Sequence, residues 1–555
     1  VLDTFEHVLA AAPAVGSLID RAPWLRILVT SRAPLRLRGE RELPLRSLDV
    51  HAAAELFVQR VRAVRPDLKL GPDPVVGEIC GRLDGLPLAL ELAAARSRHL
   101  SLPALRDALS QPLQVLTQGD RDLPERQRTI RATIAWSYEL LLPEDQAVFA
   151  RLAVFSGGWT LLAAEHLAPH GQAVLDALGR LCEHGLVHAD ESAPVARWHL
   201  LDPVRDFAAE LLQGATDVFR WHAEFFAELA ETSAPFLLGP DQDWWSSRLR
   251  EDAGNFRAAF AWAIDNDEHE VALKLAGSLW MFWRTEGAFA EARSWLDAAL
   301  RAEGAEDSPH RRTALWGAGW LAHQQGDHEA ASAFAQLLLV SAAEPLDRRN
   351  ALTILGRVAM AENRYADSLL PFEEALTIAR TQQSAWHLAT SLLNLGTAVL
   401  HHGDAERARA LLEEATAAHA TSGDRRFLAR ARVELGYVCL LQADADAAGS
   451  HLGEALRTFA ELGEQWGCAE ALAGFAALAA VRGDPGTSAR LLGASQSACE
   501  AISTQVIAPV AALGEPYLRK ARAALGDAGW AEELAEGHQL TMDAAVSLAR
   551  TQQPR

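Results

Sequence analysis

LTILGRVAMAENRYADSLLPFEEALTIAR, residues 352–380, recurs in varied form at residues 391–420 and 431–460, and this repetition decides the fold of the second half of the chain. An anchor residue occupies the same place in each copy, at Trp280, Gly319, Gly356, Gly396, Gly436 and Ala476. A turn position follows seven residues later, at Gly287, Gly326, Asn363, Gly403, Ala443 and Gly483. A small residue lies five positions further on, at Ala292, Ala331, Ser368, Ala408, Ala448 and Ser488. The pattern predicts six copies of one structural unit.

Each unit has the pattern of a helical hairpin. A small anchor lets a second helix approach the first, the turn residue reverses the chain, and the later small residue seats the returning helix. Because neither helix can bury its apolar face alone, successive hairpins are expected to stack into a solenoid. The unit resembles the tetratricopeptide repeat, with glycine anchors 37, 40 and 40 residues apart.

The composition is that of a large acidic chain. Its 555 residues exceed what one hydrophobic core accommodates, and 49% of them are apolar. The net charge of −21 disfavours binding to DNA or to an anionic membrane through bulk charge. No run of eighteen apolar residues is free of charges, so no membrane span is predicted. The five cysteines are widely separated, which is typical of a reducing compartment, and we expect a cytoplasmic protein.

Two apolar segments near the start of the sequence end in polar residues. VLD, residues 1–3, and LRILVTSR, residues 25–32, flank a predicted helix over residues 6–19. Parallel strands joined by a helix place their carboxyl ends at one edge of a sheet. Asp3 and Arg32 would then meet at one crevice, where a carboxylate suits Mg²⁺ and a guanidinium suits a γ-phosphate. Strands also end in polar residues that simply cap the next helix, and this alternative remains open.

The order of the elements carries a resemblance to a known family. A Gly-Leu-Pro-Leu turn opens a predicted helix at residues 85–95, and LLDPVRDFAAELL follows at residues 200–212, ahead of the repeats. This order resembles that of STAND P-loop ATPases, the signal-transduction ATPases with numerous domains, and in particular bacterial transcriptional regulators of the MalT/LuxR and AfsR-like groups. The resemblance covers essentially the whole chain. It implies a mostly α fold that combines part of an α/β nucleotide-binding sheet with a helical lid, a winged-helix-like domain and an α-solenoid.

The resemblance implies roles for four residues. Asp3 would be the Walker B aspartate that orders Mg²⁺ and its water, and Arg32 would be the sensor arginine that reads the γ-phosphate. Pro87 would pack against the adenine, and Asp202 would contribute to a contact made in the ADP-bound state, although Leu201 stands where the family often carries a histidine. Without the resemblance, Pro87 is simply a residue that starts a helix, and Asp202 is a helix N-cap.

The phosphate-binding loop of that family is absent from these 555 residues. Its lysine follows a glycine, whereas Lys69, Lys274 and Lys520 each follow another residue. Each lost charge-assisted contact is worth ~1.5–3 kcal/mol. We therefore expect ATP, ADP and Mg²⁺ to be cofactors of a longer parent protein, a slow regulatory ATPase, and expect this chain alone to bind none and to be inactive. On this interpretation, Val1 is the cut end of a larger ATPase or follows a misplaced start codon.

The same interpretation divides the chain into six regions. They are residues 1–48 (the Walker B and sensor strands of an NB-ARC-like sheet), 49–115 (helical lid), 116–215 (winged-helix-like domain), 216–279 (linking helices), 280–500 (tetratricopeptide-like repeats) and 501–555 (C-terminal helices).

Three functions are compatible with the sequence. The preferred hypothesis is a fragment of a signal-responsive STAND regulator of transcription, in which the repeats sense a protein or small-molecule inducer and the nucleotide state controls assembly into homo-oligomers. DNA would be bound only through a module outside these residues. The alternative is a degenerate adaptor without ATPase activity, whose repeats bind a protein partner. Direct DNA binding by the winged-helix-like region ranks third because the chain is so acidic.

Overall fold

The computed structural model describes residues 1–3, 5–22, 24–31, 34–43, 45, 47–65, 74–109, 115–116, 129–168, 173–190, 195–212, 214–238, 240–302, 304–502 and 508–553. The chain divides into two compact units. Unit 1 comprises residues 1–225 and 252–258, and unit 2 comprises residues 226–251 and 259–555.

Unit 1 begins with the predicted parallel pair of extended segments. Leu2 pairs with Val29, the Leu2 N–H donates to the Leu28 carbonyl at 2.9 Å, and the Thr30 N–H donates to the Leu2 carbonyl at 2.9 Å. Between the segments, Phe5–Ala11 forms a 3₁₀ helix and Ala12–Arg21 forms α1. The connection is therefore helical, as the amphipathic pattern predicts.

Four helices follow the paired segments. They are α2 (Val50–Val64), α3 (Pro74–Arg82), α4 (Pro87–Arg96) and α5 (Leu102–Ala108). Asp49 caps α2, because its carboxylate accepts from the N–H groups of His51 and Ala52. Their shared core is aliphatic and aromatic, with Phe57, Val61, Ile79, Leu90 and Leu105 all fully buried.

A small antiparallel sheet lies among the next helices. The elements are α6 (Ile130–Glu139), α7 (Pro143–Arg151), a 3₁₀ turn (Leu152–Val154), β1 (Trp159–Thr160), α8 (Leu161–Leu167), α9 (Val174–Glu183), β2 (His188–Asp190), β3 (Arg197–His199) and α10 (Asp202–Leu211). The strand order is β1-β3-β2, with Trp159 opposite Trp198 and His188 opposite His199. The chain order is thus two helices, a strand, two helices, a hairpin and a final helix.

A buried polar group joins this sheet to residues 252–258, the later segment of unit 1. After α11 (Thr216–Ser233) and α12 (Gln242–Glu251), α13 (Ala253–Asp265) presents Asn255, which accepts from the Ser156 N–H at 2.7 Å and donates to the Gly158 carbonyl at 2.8 Å. Beside it, Arg197 Nη2 lies 2.6 Å from Asp252 Oδ1, and both side chains are almost fully buried. Through these contacts, residues 252–258 pack against the rest of unit 1.

Unit 2 is an array of paired helices, as the repeat predicts. The helices are α14 (His269–Thr285), α15 (Phe289–Arg301), α16 (Arg311–Gln324), α17 (His328–Val340), α18 (Pro345–Ala361), α19 (Tyr365–Thr381), α20 (Ala385–His402), α21 (Ala405–Ser422), α22 (Arg425–Leu441), α23 (Ala445–Glu461), α24 (Gln465–Val481) and α25 (Pro485–Ala501). Short 3₁₀ turns at Ala234–Leu238 and Ala305–Asp307 precede and interrupt the array, and α26 (Ala508–Leu525), α27 (Asp527–His538) and α28 (Met542–Arg550) follow it.

The predicted turn and packing positions are confirmed. All six turn residues have positive φ, including Asn363 at 59° and Ala443 at 59°. The six predicted small residues are all buried. A Cβ added at Gly356 would lie 2.6 Å from Phe372, and one added at Gly436 would lie 2.8 Å from Leu452, so the glycine anchors permit the close approach of the paired helices.

The prediction of a mostly α fold is confirmed, because helices dominate both units and the one named sheet of the described residues has three short strands. Within the described part of the chain, every helix falls short of the length and apolarity that crossing a bilayer requires.

Candidate functional sites

Unit 1 has an open cleft of about 2810 Å³. Several of the elements that line it carry the motifs for which nucleotide contacts are predicted. Residues 25–31, the loop over residues 34–43, the turn before α4 and the residues before α10 contribute to its walls. Thr30, Ser31, Pro87, His199 and Leu201 all line it. Segments that are far apart in the sequence are therefore brought to one cavity.

Asp3 lies at the carboxyl end of the first extended segment, next to this cleft. Its Oδ1 accepts a hydrogen bond from the hydroxyl of Thr30, which itself lines the cleft. Mg²⁺ at nucleotide sites is usually held by one or two carboxylates together with phosphates and water. An aspartate beside a hydroxyl suits that role. No group of three His, Cys, Asp or Glu side chains arranged to hold a metal occurs among the described residues.

Arg32 lies outside the described residues, so its predicted role in reading a γ-phosphate stays a prediction. Pro87 is the first residue of α4, is exposed, and lines the cleft. The turn before it is fixed by Gly85, whose φ is +62° and whose carbonyl accepts from the Leu48 N–H at 3.1 Å. A Cβ on Gly85 would lie 2.2 Å from the Leu48 carbonyl oxygen, so only glycine fits.

Asp202 is the first residue of α10, and Leu201 is its capping residue. The interpretation of Asp202 as an N-cap is therefore wrong. The Asp202 carboxylate instead pairs with Arg205 at 3.0 Å, within the first turn of the helix. The Asp202 N–H donates to Asp84 Oδ2 at 2.7 Å. A residue distant in sequence therefore provides the acceptor for one of the N–H groups at the start of α10.

Asp84 links two of the predicted site elements. It precedes the Gly-Leu-Pro turn that carries Pro87, and it holds the helix start that carries Asp202. Burial raises the pKa of Asp84, while the hydrogen bond from Asp202 opposes that rise. The structure thus brings Pro87 and Asp202 into one neighbourhood, which the sequence motifs alone do not specify.

The described residues fit part of a magnesium nucleotide. Pro87 offers an exposed apolar surface for a base, and Asp3 offers a carboxylate for the metal ion. The described lining of the cleft includes arginines but no lysine, and Arg36 is paired with Glu183. Pro87 would therefore hold the base and Asp3 the metal ion, and arginines are the cationic residues of the described lining that could face the phosphates.

Unit 2 buries a second group of polar residues, which we call the arginine cluster. Its members are Arg284, Arg357, Arg426, Arg430, Glu434, Glu464 and Glu470, and each is at most 8% exposed. Arginine and glutamate are almost never buried to this degree unless they are paired. Because six of the seven belong to the first helices of the hairpins, the array itself assembles the cluster.

Three ion pairs lie within the arginine cluster. Arg426 Nε lies 3.0 Å from Glu464 Oε2, and Arg430 Nη2 lies 3.4 Å from Glu470 Oε1. Arg284 Nη2 lies 3.7 Å from Glu464 Oε1, so two arginines share this carboxylate. The guanidinium of Arg430 also stacks over Trp466, 4.5 Å from the ring centre, which adds a cation–π contact.

Arg357 is paired differently from the other arginines of the cluster. It stacks over Trp320 at 4.4 Å, and its Nη1 donates to Asn394 Oδ1 at 3.1 Å. Its Nε and Nη2 atoms are buried without a hydrogen-bond acceptor among the described residues. By contrast, nearby Arg349 has each of its three nitrogens bonded, to Ser391, Asn350 and the His387 carbonyl.

Burial shifts the pKa values of the cluster. Burial raises the pKa of Glu434 to about 7. Burial, with a smaller effect from neighbouring Arg430, lowers the pKa of Arg357 to about 9. Asp424, which is also buried, interacts electrostatically with Arg426, so four arginines face four carboxyl groups.

The arginine cluster is not predicted by the motifs of the sequence, although the repeat register contains a signal for it. Relative to the anchor Gly436, polar residues lie six and two positions before it and one position after it, at Arg430, Glu434 and Tyr437. The next hairpin back has Thr390, Asn394 and Thr397 at the same places. Spacings of four and three put these residues on one helical face, where an apolar stripe would be the ordinary pattern.

Comparison with known proteins yields relatives but no family match. No protein-family profile matches the chain. A Mycobacterium tuberculosis protein named "Putative HTH-type transcriptional regulator" is 34% identical over 449 residues, which cover 77% of this chain and 50% of that protein. The regulatory protein AfsR of Streptomyces griseus is 27% identical over 444 residues, 74% of this chain and 44% of AfsR.

Among solved structures, a STAND protein with a tetratricopeptide repeat sensor from Pyrococcus horikoshii is similar over 99% of this chain and 82% of its own. The identity is 14% and the TM-score is 0.43, a likeness too distant to support an argument about function. The chain spans about half the length of the curated relatives it matches. Over about three quarters of its own length, it is similar to bacterial proteins named as regulators.

Proposed function

We propose that this chain is part of a signal-responsive transcriptional regulator of the STAND type. Unit 1 contributes one side of a nucleotide site, and unit 2 senses an inducer. A ligand or protein partner bound to unit 2 favours one of two states that differ in their bound nucleotide. Such a switch requires that the inducer bind the two states with different affinity.

The main support for the proposal is that segments distant in sequence line one cleft of unit 1. Thr30, which bonds Asp3, lines the same cavity as Pro87 and Leu201, although these residues come from three separate parts of the sequence. The metal ion of a nucleotide would contact the carboxylate at the end of the parallel segment. The base would contact the exposed proline at the helix start.

The architecture around the cleft supports the remaining assignments. The helices α6–α10 with the hairpin β2–β3 have the element order of a winged-helix-like domain. In this region Arg131 is paired with Glu210, which supports a structural role for that arginine rather than one in DNA binding. The similarity to proteins named as transcriptional regulators supports regulation of transcription as the function of the parent protein. That protein would bind DNA through a module outside these residues.

The proposal is tested by measuring nucleotide binding to a longer protein, whose coding sequence is extended upstream of Val1 in the same reading frame. We expect fluorescently labelled ADP to bind in the presence of Mg²⁺. Asp3→Ala should weaken Mg²⁺-dependent binding about tenfold or more, since hydrogen bonds and contacts to charged groups are worth ~1.5–3 kcal/mol. Asp176→Ala, at an exposed position of α9, is the matched control and should leave binding unchanged.

The second candidate function is a repeat-based adaptor without nucleotide control. It is favoured by one observation, that the described lining of the cleft holds Leu201 and no lysine. If the extended protein ignores ADP and ATP at millimolar concentrations, the switch is rejected and the adaptor is the better account.

A further inference from the structure

Helix α26 (Ala508–Leu525) covers one side of the array instead of extending it. It packs against α24 and α25, and it also contacts α22 and α18, the first helices of earlier hairpins. Helix α27 differs, because a Cβ added at Gly493 of α25 would lie 2.2 Å from the Leu534 carbonyl oxygen, so that these two helices are in backbone contact. Helix α27 thus continues the stack, whereas α26 lies against the first helices of several hairpins.

The surface beneath α26 consists mainly of apolar side chains. In α24, every residue from Trp466 to Ala479 is buried, and Glu470 is the one charged residue among them. A helix that is apolar all round needs cover on every side. Where α26 covers it, a Cβ added at Gly514 would lie 3.7 Å from Tyr437 Oη and 3.8 Å from Ala477 Cβ. We call this surface of α22 and α24, around Tyr437 and Ala477, the α26 site.

One face of α26 carries the apolar residues that pack on the array. Leu513, Tyr517 and Leu518 pack against the main hydrophobic core of unit 2, to which the α26 site belongs. Ala521, further along the same helix, is also buried. Intervals of four, one and three residues place these side chains on one face of the helix. Apolar anchors at such intervals are how a protein groove binds an amphipathic helix of a partner.

The contacts that hold α26 on the array are weak. Its three large apolar side chains that face the site remain partly exposed. Arg519 pairs with Glu515 in α26 itself. Arg522 pairs with Asp527 at the start of α27, so among the described residues no ion pair joins α26 to the first helices beneath it. Pro516, inside the helix, removes one backbone hydrogen bond, so a helix with the same apolar spacing and no proline would bind the site better.

We propose that α26 is an internal occupant of the α26 site and that an amphipathic helix of a partner protein displaces it. This inference rests on the proposed function in giving unit 2 a sensing role, and it names the chemical class of the inducer. Because α24 needs cover on the side of the α26 site, α26 leaves only when another apolar helix replaces it. The site therefore exchanges one helix for another and does not stand open.

Peptide binding to the full chain, without nucleotide, tests the site. The probe is a fluorescein-labelled peptide of residues 508–525, and its anisotropy is measured during titration with protein. Tyr517→Asp in the chain puts a charge on the side of α26 that faces the array and should release the helix from the site. This variant should bind the peptide about tenfold or more tightly than the unaltered chain does, because there α26 competes at the high effective concentration of a tethered segment.

Lys520→Asp in the chain is the matched control, because it adds the same carboxylate on the exposed side of α26. It should bind the peptide as weakly as the unaltered chain does. A peptide that itself carries Tyr517→Asp should bind none of these proteins. Equal binding of the unmodified peptide to the Tyr517→Asp and Lys520→Asp chains, or binding to neither, overturns the proposal and makes α26 a fixed part of the array.

Hydrogen–deuterium exchange of the unaltered chain gives a second test, which does not depend on the folding of a variant. A displaceable α26 opens locally, so amides of residues 512–525 should exchange faster than those of α25. Gly514→Ala should slow this exchange about fivefold, because alanine favours the helix and its Cβ would meet Tyr437 and Ala477 at ordinary contact distances. Exchange of α26 and α25 at one common rate would contradict the proposal. Since no nucleotide is present, these experiments and the ADP-binding experiment can fail independently.

Discussion

At the scale of single residues, the buried charges of this protein fall into two kinds, those with a carboxylate partner and those without one. Arg197 in unit 1 belongs to the first kind, since Asp252 lies 2.6 Å away and both side chains are almost fully buried. Arg357 in unit 2 belongs to the second. Substitutions at the two kinds should have opposite effects on stability. Removing the carboxylate partner of a buried arginine leaves an uncompensated charge and destabilises the protein, whereas removing an arginine without a partner removes such a charge.

Asp252→Ala should therefore destabilise unit 1 by ~3–5 kcal/mol, because it leaves Arg197 buried without its partner. Calorimetric unfolding measures the change. Glu91→Ala removes one partner of the half-exposed Arg60–Glu91 pair and should cost less than about 1 kcal/mol. Equal effects of the two substitutions would mean that the Arg197–Asp252 pair is solvated in solution.

Glu434 should make unit 2 less stable as the pH rises toward neutrality. Burial raises its pKa from 4.5 to about 7, with Arg430 and Arg357 opposing the rise and Glu470 adding to it. Since the folded state holds this proton more tightly, the stability that Glu434 contributes is complete below pH 4.5 and is lost as the pH rises through about 7.

Glu434→Gln should remove this loss of stability at rising pH, since the glutamine amide stays neutral over the whole pH range. Melting temperatures measured at intervals between pH 4.5 and pH 8 should fall less steeply in the variant than in the unaltered protein. Glu413→Gln, at an exposed position of α21, serves as the control. Parallel curves for Glu434→Gln and the unaltered protein would show that this carboxyl is ionised and paired throughout the range.

At the scale of the helical hairpin, the turn position decides local stability through its backbone conformation. Gly403 has a φ of +101° with no atom near its missing Cβ, and Ala443 occupies the equivalent position with a φ of +59°. An L side chain in the left-handed region costs ~1–2 kcal/mol. The same position is therefore unstrained in one hairpin and strained in another.

Reciprocal substitutions at these two turns should have opposite signs. Gly403→Ala should lower the free energy of unfolding of unit 2 by ~1–2 kcal/mol, and Ala443→Gly should raise it by about 0.5 kcal/mol after the greater backbone entropy of glycine is subtracted. Chemical denaturation of each variant measures both. If both substitutions destabilise the protein, side-chain contacts rather than backbone strain control the turn.

At the scale of the whole molecule, the sequence predicted what depends on local chemistry and chain order. The hairpins were predictable because Gly403 and its equivalents recur at a fixed place, and the parallel pair was predictable because an apolar run before Asp3 and another before Thr30 flank an amphipathic segment. Asp202 was misjudged as a cap because the real acceptor for its N–H, Asp84, is 118 residues away.

The arginine cluster was not predictable by the same reasoning. Arg357 and Arg430 each resemble surface residues within their own helices, and only the stacking of hairpins brings them together. Their burial is a property of the array, whereas composition and motif spacing report on one element at a time. A search for polar residues at equivalent places in successive first helices would have indicated the cluster.

The position at which nucleotide binds on the chain decides whether unit 1 forms one side of a nucleotide site. Hydrogen–deuterium exchange of the upstream-extended protein should be compared with and without Mg²⁺-ADP. We expect protection of amides in residues 26–31 and 86–89, which line the cleft beside Asp3 and include Pro87. Nucleotide binding that protects only the upstream segment, or none of the described residues of the cleft, would contradict the assignment of unit 1 as one side of a nucleotide site.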